Sequence, residues 1–293
     1  MKMPSAMRTC LPRLNGFTLI EMVIVIVISG ILVGIVAVFI RGPVQGYADS
    51  VRRAELTDTA DVALRRMTRD LRLALPNSLR VGTSGGVNYI EFIMTSAGGR
   101  YRDLADGSTS GAFLSFTDVA GKTFDVLGAS TVLAASAVVA NDYIVIYNLG
   151  DGYDPANAYN ASATGTNIAR VSSVGSSAIT LTSNPFAGQS PPLPSPNNRF
   201  QVIPGGILAV TFSCPASGSG SFNRYAGYGF NTAMAMPPSG TPAVMATNAN
   251  CVVAYTSSAS ARNGLISITL TLTDPTSLES VSLFRQIHVD NSP

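Results

Sequence analysis

A single carboxylate lies inside a long apolar segment near the N-terminus. Residues 17–40 read FTLIEMVIVIVISGILVGIVAVFI, and Glu21 is the only charged residue among them. As a helix, this segment is long enough to cross the roughly 30 Å hydrocarbon core of a bilayer. An acid within a membrane span costs roughly 2.5–3.5 kcal/mol on insertion scales, so its presence indicates a function. The alternative is a glutamate near the helix end whose carboxylate reaches the lipid headgroups.

Side chains for conventional catalysis are scarce. The chain has one histidine, His288, and three cysteines, and it contains no G-x-S-x-G, H-E-x-x-H, C-x-x-C or P-loop motif. Residues 148–157, NLGDGYDPAN, could offer oxygens to Ca²⁺, but they lack EF-hand spacing and are also ordinary turn residues. We therefore expect no enzymatic activity, no cofactor and no metal site.

The flanks of the apolar segment indicate its membrane topology. Residues 1–16 carry Lys2, Arg8 and Arg13 and no acid, which predicts that this end stays in the cytoplasm and the rest lies outside. A secretory signal would have a shorter apolar part followed by a small-residue cleavage site, whereas residues 41–43 read RGP. The span is thus predicted to be retained. The net charge of +2 gives no reason to expect a nucleic acid partner.

Residues 16–21, GFTLIE, resemble the processing motif of type IV prepilins and type II secretion pseudopilins. The resemblance implies a leader peptide of residues 1–16, which a membrane-bound prepilin peptidase removes between Gly16 and Phe17. It also implies that this enzyme methylates the new N-terminal Phe17 and that Glu21 becomes the fifth mature residue. The Phe17 amine of a neighbouring subunit is then a natural partner for Glu21, and their pairing would favour assembly and set the axial register.

A pair of glycines within the apolar segment could bring helices together. Gly30 and Gly34 form a G-x-x-x-G pattern, and small residues four apart let helix backbones approach closely. Such contacts would suit a bundle of N-terminal helices in a fibre core. Alternatively, the two glycines have no role in packing, because glycine is in general more frequent in membrane helices than in soluble ones.

A second helical segment follows the span, so that residues 17–76 form the N-terminal helix with 17–40 as its membrane part. Pro43 predicts a kink or break after Gly42, because proline lacks an N–H and disfavours helix at the residue before it. Apolar residues then recur every three or four positions as far as Leu75, which predicts one buried face of an amphipathic helix. Pro76 is expected to end this helix.

The opposite face of this helix is charged. Asp49 with Arg53 and Asp61 with Arg65 have the favourable i, i+4 order for ion pairs. A basic stripe could bind nucleic acid or anionic lipid, but the interleaved acids favour a helix packed on a sheet with its outer face in solvent. The charged residues are Arg52, Arg53, Arg65, Arg66, Arg69 and Arg72 with Asp49, Asp58, Asp61 and Asp70.

Beyond Pro76 the sequence has the character of a β-rich domain. Short β-branched and aromatic runs alternate with Gly, Ser, Asn and Pro, which predicts a mostly antiparallel globular domain over residues 77–293. The predicted strands are 87–94, 112–116, 143–149, 179–182, 200–203, 207–212, 265–273 and 281–289. The fold class is therefore α+β, and the resemblance implies a type IV pilin-like arrangement in which the long helix packs on the β-rich domain.

Removal of the leader would take Cys10 with it and leave an even pair, Cys214 and Cys251. In an oxidising compartment this pair is expected to form a disulfide; the alternative is two unpaired thiols. The bond would enclose residues 222–230, FNRYAGYGF, whose aromatic residues either pack under the loop, which we favour, or form a contact surface for another protein.

A resemblance to a more specific group of proteins covers most of the chain. Residues 143–152, YIVIYNLGDG, and 284–293, FRQIHVDNSP, look like those of minor pilins of mannose-sensitive haemagglutinin (MSHA) pili. This implies a low-copy fibre subunit held in the inner membrane with a periplasmic domain before it enters the pilus. Its partners would be the prepilin peptidase, major and other minor pilins, and an inner-membrane assembly platform. The alternatives are a J-type secretion pseudopilin or a pilus-tip adhesin.

Overall fold

The computed structural model describes residues 16–103, 111–128, 138–256 and 263–292, so the predicted leader, apart from Gly16, lies outside the described residues. The chain divides into two units, Met1–Arg52 and Arg53–Pro293. One long N-terminal helix is followed by an antiparallel β-rich domain, which confirms the α+β fold class and agrees with a type IV pilin-like arrangement.

The single long helix, α1, runs from Leu19 to Leu71. It continues through Pro43, so the predicted break there is wrong. Proline removes one backbone hydrogen bond at a cost of about 3 kcal/mol, and apolar helices of this length tolerate that cost. The helix ends before the predicted stop at Pro76 because the backbone turns to pair with a strand. The Leu75 N–H donates to the Ile93 carbonyl at 2.8 Å, and the Thr95 N–H donates to the Leu73 carbonyl at 2.8 Å.

Seven antiparallel strands form the larger sheet of the second unit, in the order β1-β2-β9-β10-β11-β12-β13. β2 pairs with β9 from Val87 opposite Pro215 to Ile93 opposite Ala209. The long strands β11, β12 and β13 follow one another as hairpins. The strands are β1 (Arg80–Ser84), β2 (Val87–Ile93), β9 (Ala209–Pro215), β10 (Gly220–Ala226), β11 (Ala243–Thr256), β12 (Asn263–Thr273) and β13 (Ser280–Asp290).

The six strands between β2 and β9 form a closed barrel in the order β3-β4-β7-β6-β5-β8. Its interior is apolar and includes Phe124, Phe186 and Phe200. The ladder from β8 back to β3 closes the ring, since Ala97 pairs with Val202. The strands are β3 (Ala97–Tyr101), β4 (Thr123–Leu127), β5 (Tyr143–Val145), β6 (Ile168–Val174), β7 (Ala178–Leu181) and β8 (Arg199–Ile203).

Seven of the eight predicted strands overlap strands of the structure, but residues 112–116 do not form one. That segment makes isolated backbone bonds instead of a ladder: the Leu114 N–H donates to Arg102 O at 3.0 Å and the Asp125 N–H donates to Ala112 O at 2.8 Å. The predicted strand 143–149 stops at Val145. β1, β3, β4, β6, β10 and β11 had no counterpart among the predictions.

The C-terminal part of α1 packs on one face of the seven-stranded sheet. Ala60, Leu64 and Met67 are fully buried there, as their spacing predicted. Asp70, also on this side of the helix, accepts a hydrogen bond from Arg224 Nε of β10 at 2.7 Å. The predicted pair Asp61–Arg65 is present.

The other predicted ion pair is replaced. Asp49 pairs with Arg52 instead of Arg53, and Arg53 pairs with Glu279, which directly precedes β13. An ion pair to the residue before β13 therefore takes the place of an ion pair within the helix.

Replacing Leu64 by alanine should destabilise the β-rich domain by about 2–5 kcal/mol, because it removes fully buried methyl groups and leaves a cavity. Val62 is 49% exposed on the same helix, so Val62→Ala is the matched control and should cost less than about 0.5 kcal/mol. Denaturant unfolding of the full chain in detergent micelles measures both. Equal losses would contradict the packing of α1 on the sheet.

Candidate functional site

The N-terminal end of α1 is capped by Thr18. The Glu21 N–H donates to the Thr18 carbonyl at 3.1 Å and to Thr18 Oγ1 at 3.3 Å. Threonine at the N-cap with glutamate three residues later is the sequence pattern of a capping box, which our sequence analysis missed. Thr18 therefore positions the first turn, and Glu21 lies within that turn, where a negative charge is favourable.

The apolar part of α1 is left exposed by all the residues that the structure describes. The helix is long and apolar enough to cross a membrane, and none of its most apolar stretch is buried. The Phe17 side chain is 80% exposed, and Glu21 is exposed among apolar neighbours. This surface needs lipid or other protein chains around it. The pairing of Glu21 with a Phe17 amine of another subunit stays a prediction.

Gly30 and Gly34 leave room for another helix. Apart from the adjoining residues and backbone of α1 itself, no atom of the described residues lies within 4 Å of the position that a Cβ would take at either glycine. The neighbouring Ser29 hydroxyl donates to the Val25 carbonyl of its own helix and so needs no partner outside it. The predicted helix packing at these glycines is sterically open, and no contact in the chain occupies it.

Comparison with known proteins gives one match, at this end of the chain. Residues 12–37 match the family model described as the prokaryotic N-terminal methylation motif. The chain carries this motif. It supports placement among type IV pilins and pseudopilins, whose processing by prepilin peptidase and assembly with other pilins the motif implies. No curated protein and no solved structure matches the chain.

A disulfide joins Cys214 of β9 to Cys251 of β11, with the two Cα atoms 5.9 Å apart. Both cysteines are buried, and the enclosed segment contains β10. Among the aromatic residues of that segment, Phe222 is fully buried, and the partly buried Phe230 ring packs edge-on against Tyr143 at 5.3 Å between ring centroids.

A buried polar cluster lies where the barrel meets the sheet, and sequence analysis gave no sign of it. Glu91 of β2 is fully buried, and its carboxylate accepts hydrogen bonds from Arg80 Nε at 2.6 Å and from Tyr228 OH at 2.7 Å. The Arg80 guanidinium stacks over the Tyr159 ring at 3.6 Å from its centroid. Burial raises the pKa of Glu91, while the charge of Arg80 opposes this shift.

This cluster connects segments that are distant in sequence. Arg80 also donates to the carbonyls of Asn231 and Thr232 at 2.6 and 2.8 Å, so its guanidinium is satisfied. Tyr228 shares a further hydrogen bond with the Thr211 hydroxyl at 2.6 Å. Complete pairing of a buried charge indicates a structural role in holding loops to the sheet.

The segment 148–157 is occupied by internal contacts. Asn148 Oδ1 accepts a hydrogen bond from the Ala158 N–H at 3.0 Å, and Asn157 Oδ1 accepts one from the Tyr159 N–H at 3.1 Å. Across the described ranges, no three His, Cys, Asp or Glu side chains are grouped to hold a metal ion. His288 is exposed on β13.

Arg80→Met should cost about 3–5 kcal/mol, because it leaves the buried Glu91 carboxylate without its cation. Burial raises the pKa of Glu91, so the folded variant binds a proton more readily than the unfolded chain. Its stability therefore falls as the pH rises, and the loss should be larger at about pH 8 than at about pH 5. Urea unfolding at both pH values measures this.

The matched control is Arg80→Met with Glu91→Leu, which replaces both charges by apolar groups and should recover most of the stability. A loss in the single variant that is small and independent of pH would contradict the role given to this cluster.

Proposed function

We propose that this protein is a minor pilin, a low-copy structural subunit that serves the assembly or priming of an MSHA-like type IV pilus. The N-terminal methylation motif carries the proposal, because it belongs to proteins that are processed and assembled into fibres. The long apolar helix and the β-rich domain supply a fibre core and an outer head. Type IV pilins are in general structural proteins, in agreement with the scarcity of catalytic side chains.

Processing would prepare the chain for assembly. Prepilin peptidase would cut after Gly16 and methylate Phe17 while the helix spans the inner membrane, with the leader in the cytoplasm and the β-rich domain in the periplasm. Three basic residues and no acid in the leader support this orientation. An inner-membrane assembly platform would then move the subunit from the membrane into the fibre.

Glu21 would guide this step by pairing with the Phe17 amine of a neighbouring subunit. At about 4 Å and an effective dielectric constant near 20, two unit charges attract by about 4 kcal/mol. That attraction is comparable with the roughly 2.5–3.5 kcal/mol cost of placing the carboxylate in the membrane. The pair would therefore offset the insertion cost only when a neighbour is correctly placed, which favours ordered assembly.

Glu21→Ala should greatly reduce incorporation of the protein into fibres while leaving its amount in the membrane unchanged. Glu21→Gln keeps the side-chain size without the charge and should fail equally, whereas Val25→Ala, one turn further along, should be incorporated normally. Immunoblots of sheared fibres and of membranes measure the two pools. Normal incorporation of Glu21→Ala would refute the pairing.

The minor-pilin proposal rests on two further features. The β-rich domain contains a closed barrel in addition to the seven-stranded sheet, and a head of this size packs poorly in a closely repeating shaft. Residues 143–152 and 284–293 look like those of MshO, a minor pilin of the MSHA system. Both features favour a priming or tip position over the shaft.

Deletion of the gene should remove surface pili and leave type II secretion intact. Electron microscopy of surface fibres and an assay of secreted enzymes measure the two outcomes, with the wild-type gene supplied in trans as the control. Loss of secretion with normal pili would identify a J-type pseudopilin instead. Normal pili that no longer adhere would identify a tip adhesin.

A further inference from the structure

One edge of the seven-stranded sheet is a long strand with a neighbour on one side only. β13 has eleven residues and lies at the end of the strand order. Its ladder with β12 runs without a bulge from Asn263 opposite Asp290 to Thr273 opposite Ser280. Among the strands that the structure describes, none pairs with the other side of β13. A long and regular edge of this kind is a template for pairing with another chain.

The edge strand at the other end of the sheet is protected. β1 has only five residues, and the segment 231–236 packs on it. Arg80 donates to the Asn231 carbonyl at 2.6 Å, and Met236 Sδ lies 2.6 Å from the position that a Cβ would take at Gly82. Short length and a covering segment both limit pairing at a sheet edge. β13 reads SVSLFRQIHVD, without the proline or lysine that also protect such edges.

The unpaired main-chain groups of β13 belong to alternate residues. The Asp274 N–H donates to the Glu279 carbonyl at 2.8 Å, so this pair, which extends the ladder of β12 and β13, is a hydrogen-bonded one. Hydrogen-bonded and non-hydrogen-bonded pairs alternate in an antiparallel ladder, so the odd-numbered residues of β13 bond to β12. Ser282, Phe284 and Gln286 therefore point their N–H and C=O groups away from the sheet. No main-chain hydrogen bond from the described residues reaches these groups.

Positive charge is in excess beside this edge. Arg285 lies on the helix side of β13, where its guanidinium donates to Asp61 of α1 at 2.7 Å. It lines a groove of about 380 Å³ together with Arg65, Arg69 and Arg72. Asp61 pairs with both Arg65 and Arg285, so one acid serves two cations. The groove can therefore accept a further negative charge.

This charge selects the kind of strand that can pair with β13. A charged side chain on the covered side of an edge strand disfavours an apolar or basic neighbour. An acidic side chain beside Arg285 is favourable instead, because opposite charges on neighbouring strands attract. On the outer side of the sheet, Phe284 is 62% exposed, and an apolar side chain beside it would cover part of the ring. A fitting strand thus alternates acidic and apolar residues.

We propose that β13 binds an extended strand of a different protein chain, with acidic residues on the helix side and apolar residues on the outer side. The main-chain groups of Ser282, Phe284 and Gln286 provide the hydrogen bonds, and Arg285 recognises the charge. A second copy of β13 does not fit, because its sequence places no acid on the helix side. Such an edge would serve a pilus subunit and a secretion pseudopilin alike.

Hydrogen exchange tests whether the edge is open. In the full-length, ¹⁵N-labelled protein in detergent micelles, the amides of Phe284 and Gln286 should exchange at least about tenfold faster than those of Leu283 and Arg285, which donate to β12. NMR spectroscopy measures the four rates. Equal protection of all four amides would show that the edge is covered and would overturn the proposal.

A synthetic peptide tests the chemistry of the partner. In an extended conformation the peptide TVEVEVT presents its glutamates on one side and its valines on the other. Fluorescence anisotropy should show that labelled TVEVEVT binds the full-length protein at least about tenfold more tightly than TVKVKVT, which has the same pattern with the opposite charge. Bound TVEVEVT should also slow the exchange of the Phe284 and Gln286 amides. Absent binding, or equal affinity for the two peptides, contradicts the proposal.

Substitutions in β13 separate the main-chain contribution from the charge. Gln286→Pro removes an N–H that points away from the sheet and keeps the ladder with β12, so it should weaken TVEVEVT binding about tenfold. Gln286→Ala keeps that N–H and is the matched control, with wild-type affinity. Arg285→Glu should shift the preference to TVKVKVT, and Asp61 keeps Arg65 as its partner in this variant.

Equal peptide binding by Gln286→Pro and Gln286→Ala would overturn the proposal, and so would wild-type peptide preference in Arg285→Glu. If Gln286→Pro does not accumulate in membranes, Arg285→Glu decides the outcome with an unchanged main chain. None of these measurements needs fibres. Failure of the pilus proposal would therefore appear in the gene deletion and not here.

Discussion

One constraint governs the molecule: none of the described residues covers the apolar half of α1. Its side chains are exposed from Phe17 to Ile40, and complete burial of each Val, Leu, Ile, Phe or Met side chain among them contributes roughly 1.5–3 kcal/mol. Its backbone, in contrast, is satisfied inside the helix, as a lipid environment demands. The segment is therefore stable only in a membrane or among other helices. In either of these two surroundings the same apolar surface is covered.

The second half of the same helix packs on the sheet with one face and borders water with the other, and its sequence changes accordingly. Apolar residues such as Ala60, Leu64 and Met67 face the sheet, and the Asp70–Arg224 ion pair connects the helix to β10. The opposite face is charged and in water. The same helix thus contains a segment that requires partners all around it and a segment that requires only one.

The features that depend on local sequence could be predicted, and those that depend on distant contacts could not. The span, the buried positions of α1 and the long alternating strands β12 and β13 follow from periods of about 3.6 and two residues. β3 reads AGGRY, which has little β-propensity, because its pairing comes from closure of the barrel. Glu91 and its partners come from four separate segments, so no spacing could bring them together. The N-cap at Thr18, in contrast, was a local signal available in the sequence.

The chain leaves the sheet after Ile93 to form the barrel and returns to the sheet at Ala209. Ile93 of β2 and Ala209 of β9 are paired with each other. An insertion whose two ends pair with each other leaves the pairing of the remaining residues of β2 and β9 unchanged. Because the ring of six strands has no free edge, it also offers no template for unwanted strand pairing. The barrel can thus change in size or surface without disturbing the pairing of the sheet on which the helix packs.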